Sequence, residues 1–401
     1  MNGSRFSVKI ISVTDPKRCP KLRALRDWTP PSIPLLYNRK VRTWDAIIVG
    51  GGIIGLSLAR RLKIQGVRVL VIDKQEPAHE ASYAAGGMIA SCDPHIPPEL
   101  HPLVAASAAQ YPEFVHALQD ESGESVDLRD TGTIAYFESG EGSECAGARK
   151  LAVDELSRLE PLLQLQGNTW LLPERCVDPR GLGRALVLAA KHRGVDFVTG
   201  SPVVEVLEAN GRACGVKTTR SEYASEIVVN CSGAWAAQIL PLPIPTRPVK
   251  GQMVCLVPQA EIPQADAPHA RPLIQHVVRA PEVYVIPRSD GRILLGATVE
   301  EAGFDKRVDP GTIQTLYQSG IDAIPALASM RIHDAWAGLR PGTPDNLPIL
   351  GETSLPGYYA ATGHYRDGIL LAPITAQLMA ALITGCEPVL DLQPFSPLRF
   401  G

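Results

Sequence analysis

A chain of 401 residues exceeds one ordinary hydrophobic core and points to two domains. Hydrophobic residues make up 45% and charged residues 20%, as in ordinary globular proteins. The formal net charge of −3 offers no basic surface for nucleic acid or an anionic membrane.

Residues 1–43 are rich in Arg, Lys and Pro and lack the apolar core of a secretory signal. Organelle targeting remains open for them; a disordered extension or an upstream start codon is the simpler reading. The structured chain begins at Asp45. Ala46–Val49 reads as a buried parallel strand, glycines follow, and a helix is expected from Ile54 to Gln65. Val67–Ile72 reads as a second strand, closed by Asp73. The apolar stretch 46–59 contains four glycines and stops at Arg60, well short of the roughly 20 apolar residues that a membrane helix needs.

Residues 91–140 mix proline with helix signals. A helix ending at His192 is followed by strand signals at 195–198, 203–206 and 226–231, the last leading into Ser232-Gly233-Ala234. Residues 245–335 are strand-rich, with 283–286 and 292–295 flanking the turn Ser289-Asp290-Gly291. A Gly/Pro loop is expected from Gly338, then a strand at 358–361 and a helix from about Gly368 to Ile383. No repeat of solenoid length is present. The fold class is therefore α/β (α+β overall): a discontinuous Rossmann-like domain over 44–92, 174–244 and 334–385, with a strand-rich substrate domain over 93–173 and 245–333 and a tail at 386–401. The eight cysteines are scattered without a C-x-x-C pair. Neither a disulfide framework nor a metal site is expected, and the cytoplasm is the natural compartment.

Three segments carry chemistry. Gly50-Gly-Gly52-Ile53-Ile54-Gly55 lies between strand and helix. Its glycines permit a tight turn, close approach of backbone to a pyrophosphate, and helix–strand packing. The helix N-terminus favours an anion there, and Asp73, 18 residues after Gly55, can accept hydrogen bonds from an adenosine ribose. The second segment, Glu80-Ala81-Ser82-Tyr83-Ala-Ala-Gly86-Gly87-Met88, lets backbone pass close to something flat and wide, which an NAD site does not need. The third comprises Gly338-Leu-Arg340-Pro-Gly-Thr343 and Gly363-His364-Tyr365-Arg366-Asp367-Gly368. Arg340 offers a planar fork for a carboxylate, and Arg366 stands before the last helix. Taken alone, either arginine is better read as one half of a structural salt bridge.

Together these segments resemble the D-amino acid oxidase family, and within it the glycine oxidases of thiamin biosynthesis. The resemblance spans Asp45 to about Gly385 and includes Tyr284-Val-Ile-Pro-Arg288-Ser-Asp-Gly-Arg292. It implies that Ile53, Ile54, Asp73, Lys74, Ala81, Ser82, Gly86, Gly87 and Met88 line FAD, that Val203 touches the adenine side, and that His364, Tyr365, Arg366, Asp367, Gly368, Ile369 and Leu370 wrap the flavin ring. Arg340, Tyr284 and Arg366 would bind the substrate. It also implies oxidation of a small amino acid (glycine, sarcosine or a D-amino acid) to an imine, with oxygen as acceptor, no side-chain acid or base, and a homo-oligomeric enzyme. Asp367 departs from the asparagine usual in the family, Tyr83 is large for its loop, and residues 1–43 have no recognised counterpart.

Overall fold

The computed structural model describes Lys21 and residues 43–138, 145–165, 167–259 and 272–401. The expected disordered extension therefore falls almost wholly outside the described residues.

A six-stranded sheet runs in the order Ile349–Glu352, Tyr358–Thr362, Val228–Asn230, Ala46–Val49, Val69–Ile72, Asp196–Val198. All neighbours are parallel except the first two, which form an antiparallel hairpin. Ala46–Val49 and Val69–Ile72 are wholly buried, as their unbroken apolar runs require of a sheet covered on both faces. The strand order reverses about Ala46–Val49, with Val69–Ile72 on one side and Val228–Asn230 on the other. In open α/β sheets such a switch point is where a ligand binds.

One face carries four helices: Ile53–Ile64, His101–Ser122, Pro179–His192 and Gly368–Thr384. The other carries the antiparallel meander Val203–Ala209, Arg212–Thr218, Glu222–Ala224. Gly368–Thr384 has no charged residue and is apolar on every side, so it lies inside the helical layer against Ile53–Ile64 and His101–Ser122. It also contains Pro373, which has no N–H for the carbonyl of Ile369 four residues earlier. The long neighbouring helix makes good that loss. Tyr111 Oη donates to Ile369 O at 2.7 Å, and Ser107 Oγ donates to Leu370 O at 2.6 Å. Burial pushes the Tyr111 phenol far above its ordinary pKa, so it is always a donor.

An eight-stranded sheet forms the second layer, in the order Met330–Gly342, Arg247–Pro258, Ile293–Gly296, Tyr284–Pro287, Val277–Arg279, Thr133–Tyr136, Thr169–Leu172, Arg149–Lys150. Met330–Gly342 departs from the sequence reading, which expected a loop from Gly338 and assigned residues from 334 to the dinucleotide-binding part. It is a 13-residue strand paired along its length with Arg247–Pro258. It lies at the sheet edge, where Pro341 loses no ladder hydrogen bond. Residues 101–122 likewise pack with the helical layer, although the sequence division placed them in the substrate domain.

Cys92 and Cys145 are disulfide-bonded, which the scattered cysteine spacing did not anticipate. The tail is fastened by Arg399, whose Nε donates to Asp345 at 2.7 Å. Among the described residues, no helix is long and apolar enough to cross a membrane.

Tyr111→Phe keeps the ring and leaves the Ile369 carbonyl buried without a donor. The expected cost is about 1–3 kcal/mol, read as a lowered thermal midpoint with the fold retained. An unchanged midpoint would show that Tyr111 does not repair the proline break.

Candidate active site

A cavity of about 500 Å³ opens at the carboxyl ends of the central strands and runs beneath the eight-stranded sheet. Of the residues singled out from sequence, it is lined by Gly50, Gly52, Ile53, Ile54, Asp73, Lys74, Ala81, Ser82, Gly86, Met88, Val203, Tyr284 and Arg340, and by residues 364–369.

The glycine turn works as the spacing implied. Gly50 sits at φ 102°, and a Cβ there would lie 2.6 Å from the Cys231 carbonyl oxygen on the adjoining strand. A Cβ on Gly55 would lie 2.0 Å from the Gly50 oxygen, so this glycine seats the helix on the turn and does not face the cavity. Asp73 Oδ2 accepts from Gly51 N at 2.6 Å and Oδ1 from Gln75 N at 2.9 Å. Two backbone donors thus fix the carboxylate at the cavity wall, although burial raises its pKa. Lys74 is engaged twice, in an ion pair with Glu80 at 2.8 Å and over the Trp235 ring at 3.2 Å.

The small-residue loop 81–88 is pinned between the layers. Arg288, 1% exposed, donates from Nη2 to Gly86 O at 2.7 Å and from Nη1 to Val177 O at 3.1 Å, and Trp336 Nε1 donates to Ala84 O at 3.0 Å. A Cβ on Gly338 would come within 2.4 Å of Ala84 Cβ. Gly87 and Leu370 do not line the cavity. Gly87, at φ 78°, packs its bare Cα against the Val177 carbonyl, and Leu370 points into the helical core.

Arg340 lies along the sheet face, and its guanidinium rests over Gly251, whose missing Cβ would be 2.4 Å from Nη1. Its Nη1 donates to Thr298 O at 2.9 Å and to Lys250 O at 3.3 Å. These are neutral carbonyls; no carboxylate among the described residues forms an ion pair with it. Burial, then repulsion from Arg366, lowers its pKa. Arg366 also lines the cavity but is otherwise exposed, with its guanidinium 5.6 Å from the Tyr365 ring. Tyr365 takes φ 46°, a costly conformation for a non-glycine residue, held by Tyr365 N donating to Pro341 O.

His364 is buried against Thr375 Oγ1 at 3.0 Å, and burial drives its pKa down to about 3, so it is neutral and plays no part as a proton carrier near neutrality. Asp367 precedes the last helix without capping it by its side chain. Burial first, then the Asp93 carboxylate, raise its pKa to about 6. Asp93 is itself held charged by Arg279, 3.3 Å away.

Several lining residues went unread in the sequence, among them Cys231, Trp235, Ile239, Met253, Ile286 and Ala297. The apolar strand Val228–Asn230 running into Ser232-Gly233 was the available signal, since it repeats the strand–glycine pattern at Gly50.

The cavity suits a dinucleotide. A side-chain-free turn faces a helix N-terminus, a fixed acid stands at the end of the second strand, and a long cleft continues to Arg340, which has no ion-pair carboxylate among the described residues. The whole defines an FAD-dependent oxidoreductase of the two-layer kind. Residues 45–382 match the family model described as DAO, FAD dependent oxidoreductase, and the chain belongs to that family. It is 36% identical over 363 residues to the bifunctional protein ThiO/ThiG of Synechocystis sp., covering 89% of this chain and 54% of that one. It therefore spans about half the length of such relatives. It is 31% identical to the glycine oxidase of Pseudomonas aeruginosa, covering 88% and 98%, and 31% identical to the hydrogen cyanide synthase subunit HcnC of the same organism, covering 90% and 97%. The crystal structure of glycine oxidase from Geobacillus kaustophilus superposes with a TM-score of 0.80 at 31% identity, covering 89% and 98%.

Asp367 generates a pH prediction. The folded protein holds this proton more tightly than the unfolded chain does, so its contribution is present below about pH 4 and is lost as pH rises through about 6. The thermal midpoint of Asp367→Asn, measured relative to the parent, should rise progressively between pH 4 and 7. A difference that does not vary with pH would contradict the raised pKa.

Proposed function

We propose that this protein oxidises a small amino acid, with glycine preferred, to its imine while oxygen is reduced to hydrogen peroxide. The observation that carries the reading is the Arg340 guanidinium, drawn into the cavity and bonded only to neutral carbonyls. A carboxylate is the partner it lacks, and the fork can take one bidentately. Tyr284, three strands away on the same sheet, adds a hydroxyl at that end.

FAD, when bound, supplies the two-electron chemistry; this chain binds, orients and sets charge. Asp73 takes the ribose, the turn from Gly50 to Ile54 takes the pyrophosphate, and Val203 and Trp235 flank the adenosine end. Residues 364–369 and the N-terminus of Gly368–Thr384 adjoin the redox end, where the positive end of the helix favours negative charge on a reduced cofactor. Arg340 and Arg366 both disfavour a second positive charge in the cavity. They thereby lower the pKa of the substrate ammonium and favour the neutral amine that oxidation requires. No side-chain base is needed, and His364, although it lines the cavity, is held neutral by burial.

The resemblance to ThiO/ThiG supports a role in supplying the imine for thiazole assembly in thiamin biosynthesis. The chain is also similar to a hydrogen cyanide synthase subunit, and in a second reading the electrons pass to an acceptor other than oxygen. An aerobic assay across glycine, sarcosine, D-alanine and D-proline separates the two. Glycine turnover with one peroxide per imine is expected, and turnover only with an artificial acceptor would favour the second.

Arg340→Ala should retain FAD and lose about two to three decades in kcat/KM for glycine, inside the range of roughly 2–5 kcal/mol for a buried charge contact. Arg340→Lys should recover part of this, since it restores charge without the planar fork. Equal loss on a simple amine lacking a carboxylate would mean that Arg340 is structural.

A further inference from the structure

The eight-stranded sheet presents one continuous row to the cavity. Tyr284 pairs with Gly296, Gly296 with Met253, and Met253 with Trp336, so these four positions share a face across four adjacent strands. Gly296 leaves a gap in that row, and Met253 fills it. A Cβ on Gly296 would lie 2.9 Å from Met253 Cε and 3.1 Å from Cγ. The thioether also reaches the flavin-side loop: a Cβ on Gly86 would be 3.5 Å from the same Cε. Two residues along the strand, Gly251 is the glycine over which the Arg340 guanidinium lies. Arg340 and Met253 therefore lie side by side on neighbouring glycine gaps, Arg340 over Gly251 and Met253 over Gly296. Met253 is 5% exposed and lines the cavity.

We propose that Met253 is the specificity-determining residue of this site: its thioether fills the space beside the Arg340 anchor and limits the substituent that an amino acid can carry on Cα. The inference rests on the carboxylate-anchoring reading of Arg340. With the carboxylate on the guanidinium, Cα stands about one bond further along the face, over the Met253 position. Glycine, with only hydrogens on Cα, is compatible with the filled gap, and a branched side chain is not. Methionine is unbranched and deformable, so the limit is graded, with a small substituent admitted at reduced efficiency.

The test uses the FAD-loaded protein with glycine, D-alanine and D-valine as substrates. Met253→Ala removes three heavy atoms from the gap. Single methylene differences in apolar pockets are worth about 10- to 200-fold, so the D-valine to glycine ratio of kcat/KM should rise at least tenfold. Met253→Leu, of similar volume, should leave the ratio within threefold. Should the alanine variant fold poorly, Met253→Val supplies a smaller opening and should shift the ratio in the same direction. Binding of acetate and of 2-methylpropanoate, followed by the flavin absorbance change, gives an activity-independent readout. The branched acid should gain affinity relative to acetate in the opened variants. A folded, flavin-bound variant with both ratios unchanged would overturn the role of Met253. Failure of acetate to bind the parent protein at all would instead sink the Arg340 reading.

Discussion

A positive charge fixed against two backbone carbonyls, with no carboxylate in an ion pair with it among the described residues, is the constraint on which this structure turns. Bringing a guanidinium into a cavity costs free energy unless it is paired. Much of the surrounding architecture serves to hold Arg340 there. Gly251 must be glycine because the guanidinium occupies the place of its Cβ, and Gly338 must be glycine because Ala84 crowds it on the opposite layer. The long pairing of Arg247–Pro258 with Met330–Gly342 sets Arg340 opposite Val249 and brings the Lys250 carbonyl within reach, while the Thr298 carbonyl comes from the segment that follows Ile293–Gly296. On the proposed reading, that charge is kept for the carboxylate of a ligand.

The same junction joins the two layers. The switch point of the six-stranded sheet and the face of the eight-stranded sheet meet across the loop from Ala81 to Met88, and Arg288 and Trp336 fasten that loop from the substrate side. Gly368–Thr384 brings its N-terminus to the cavity, and Tyr111 supplies the hydrogen bond that Pro373 denies it. Asp367 works against this arrangement. Its carboxylate at the positive end of a helix is favoured by the dipole, yet burial and Asp93 oppose its charge, and its pKa comes to rest at about 6. On the proposed reading, a proton on that group would change the charge at the flavin end of the cavity.

What the sequence disclosed, it disclosed through local chemistry. Gly50 to Gly55 and Asp73 were legible because a turn, a helix start and a strand end lie within one β-α-β unit. Arg340 was legible as a candidate because Pro341 and two glycines shape its neighbourhood, but whether it met a carboxylate or a carbonyl depended on Lys250 and Thr298, residues distant in the chain. The pairing of Met253 with Gly296 was not legible, since it arises from strand register. The strand Met330–Gly342 was hidden behind its own glycines and proline, of which Gly338 makes room for Ala84. Cys92 and Cys145 stand 53 residues apart, and only the packing of Thr133–Tyr136 against Thr169–Leu172 brings that region of chain together.

The central claim is that Arg340 is held open for a carboxylate. A crystal structure of the FAD-loaded protein with glycolate, which is not an amine and retains the carboxylate, tests it directly. The account predicts both carboxylate oxygens within hydrogen-bonding distance of the Arg340 guanidinium, with the two backbone carbonyls still on Nη1. Glycolate seated on Arg366 instead, or Arg340 turned away to pair with Glu300, would contradict it.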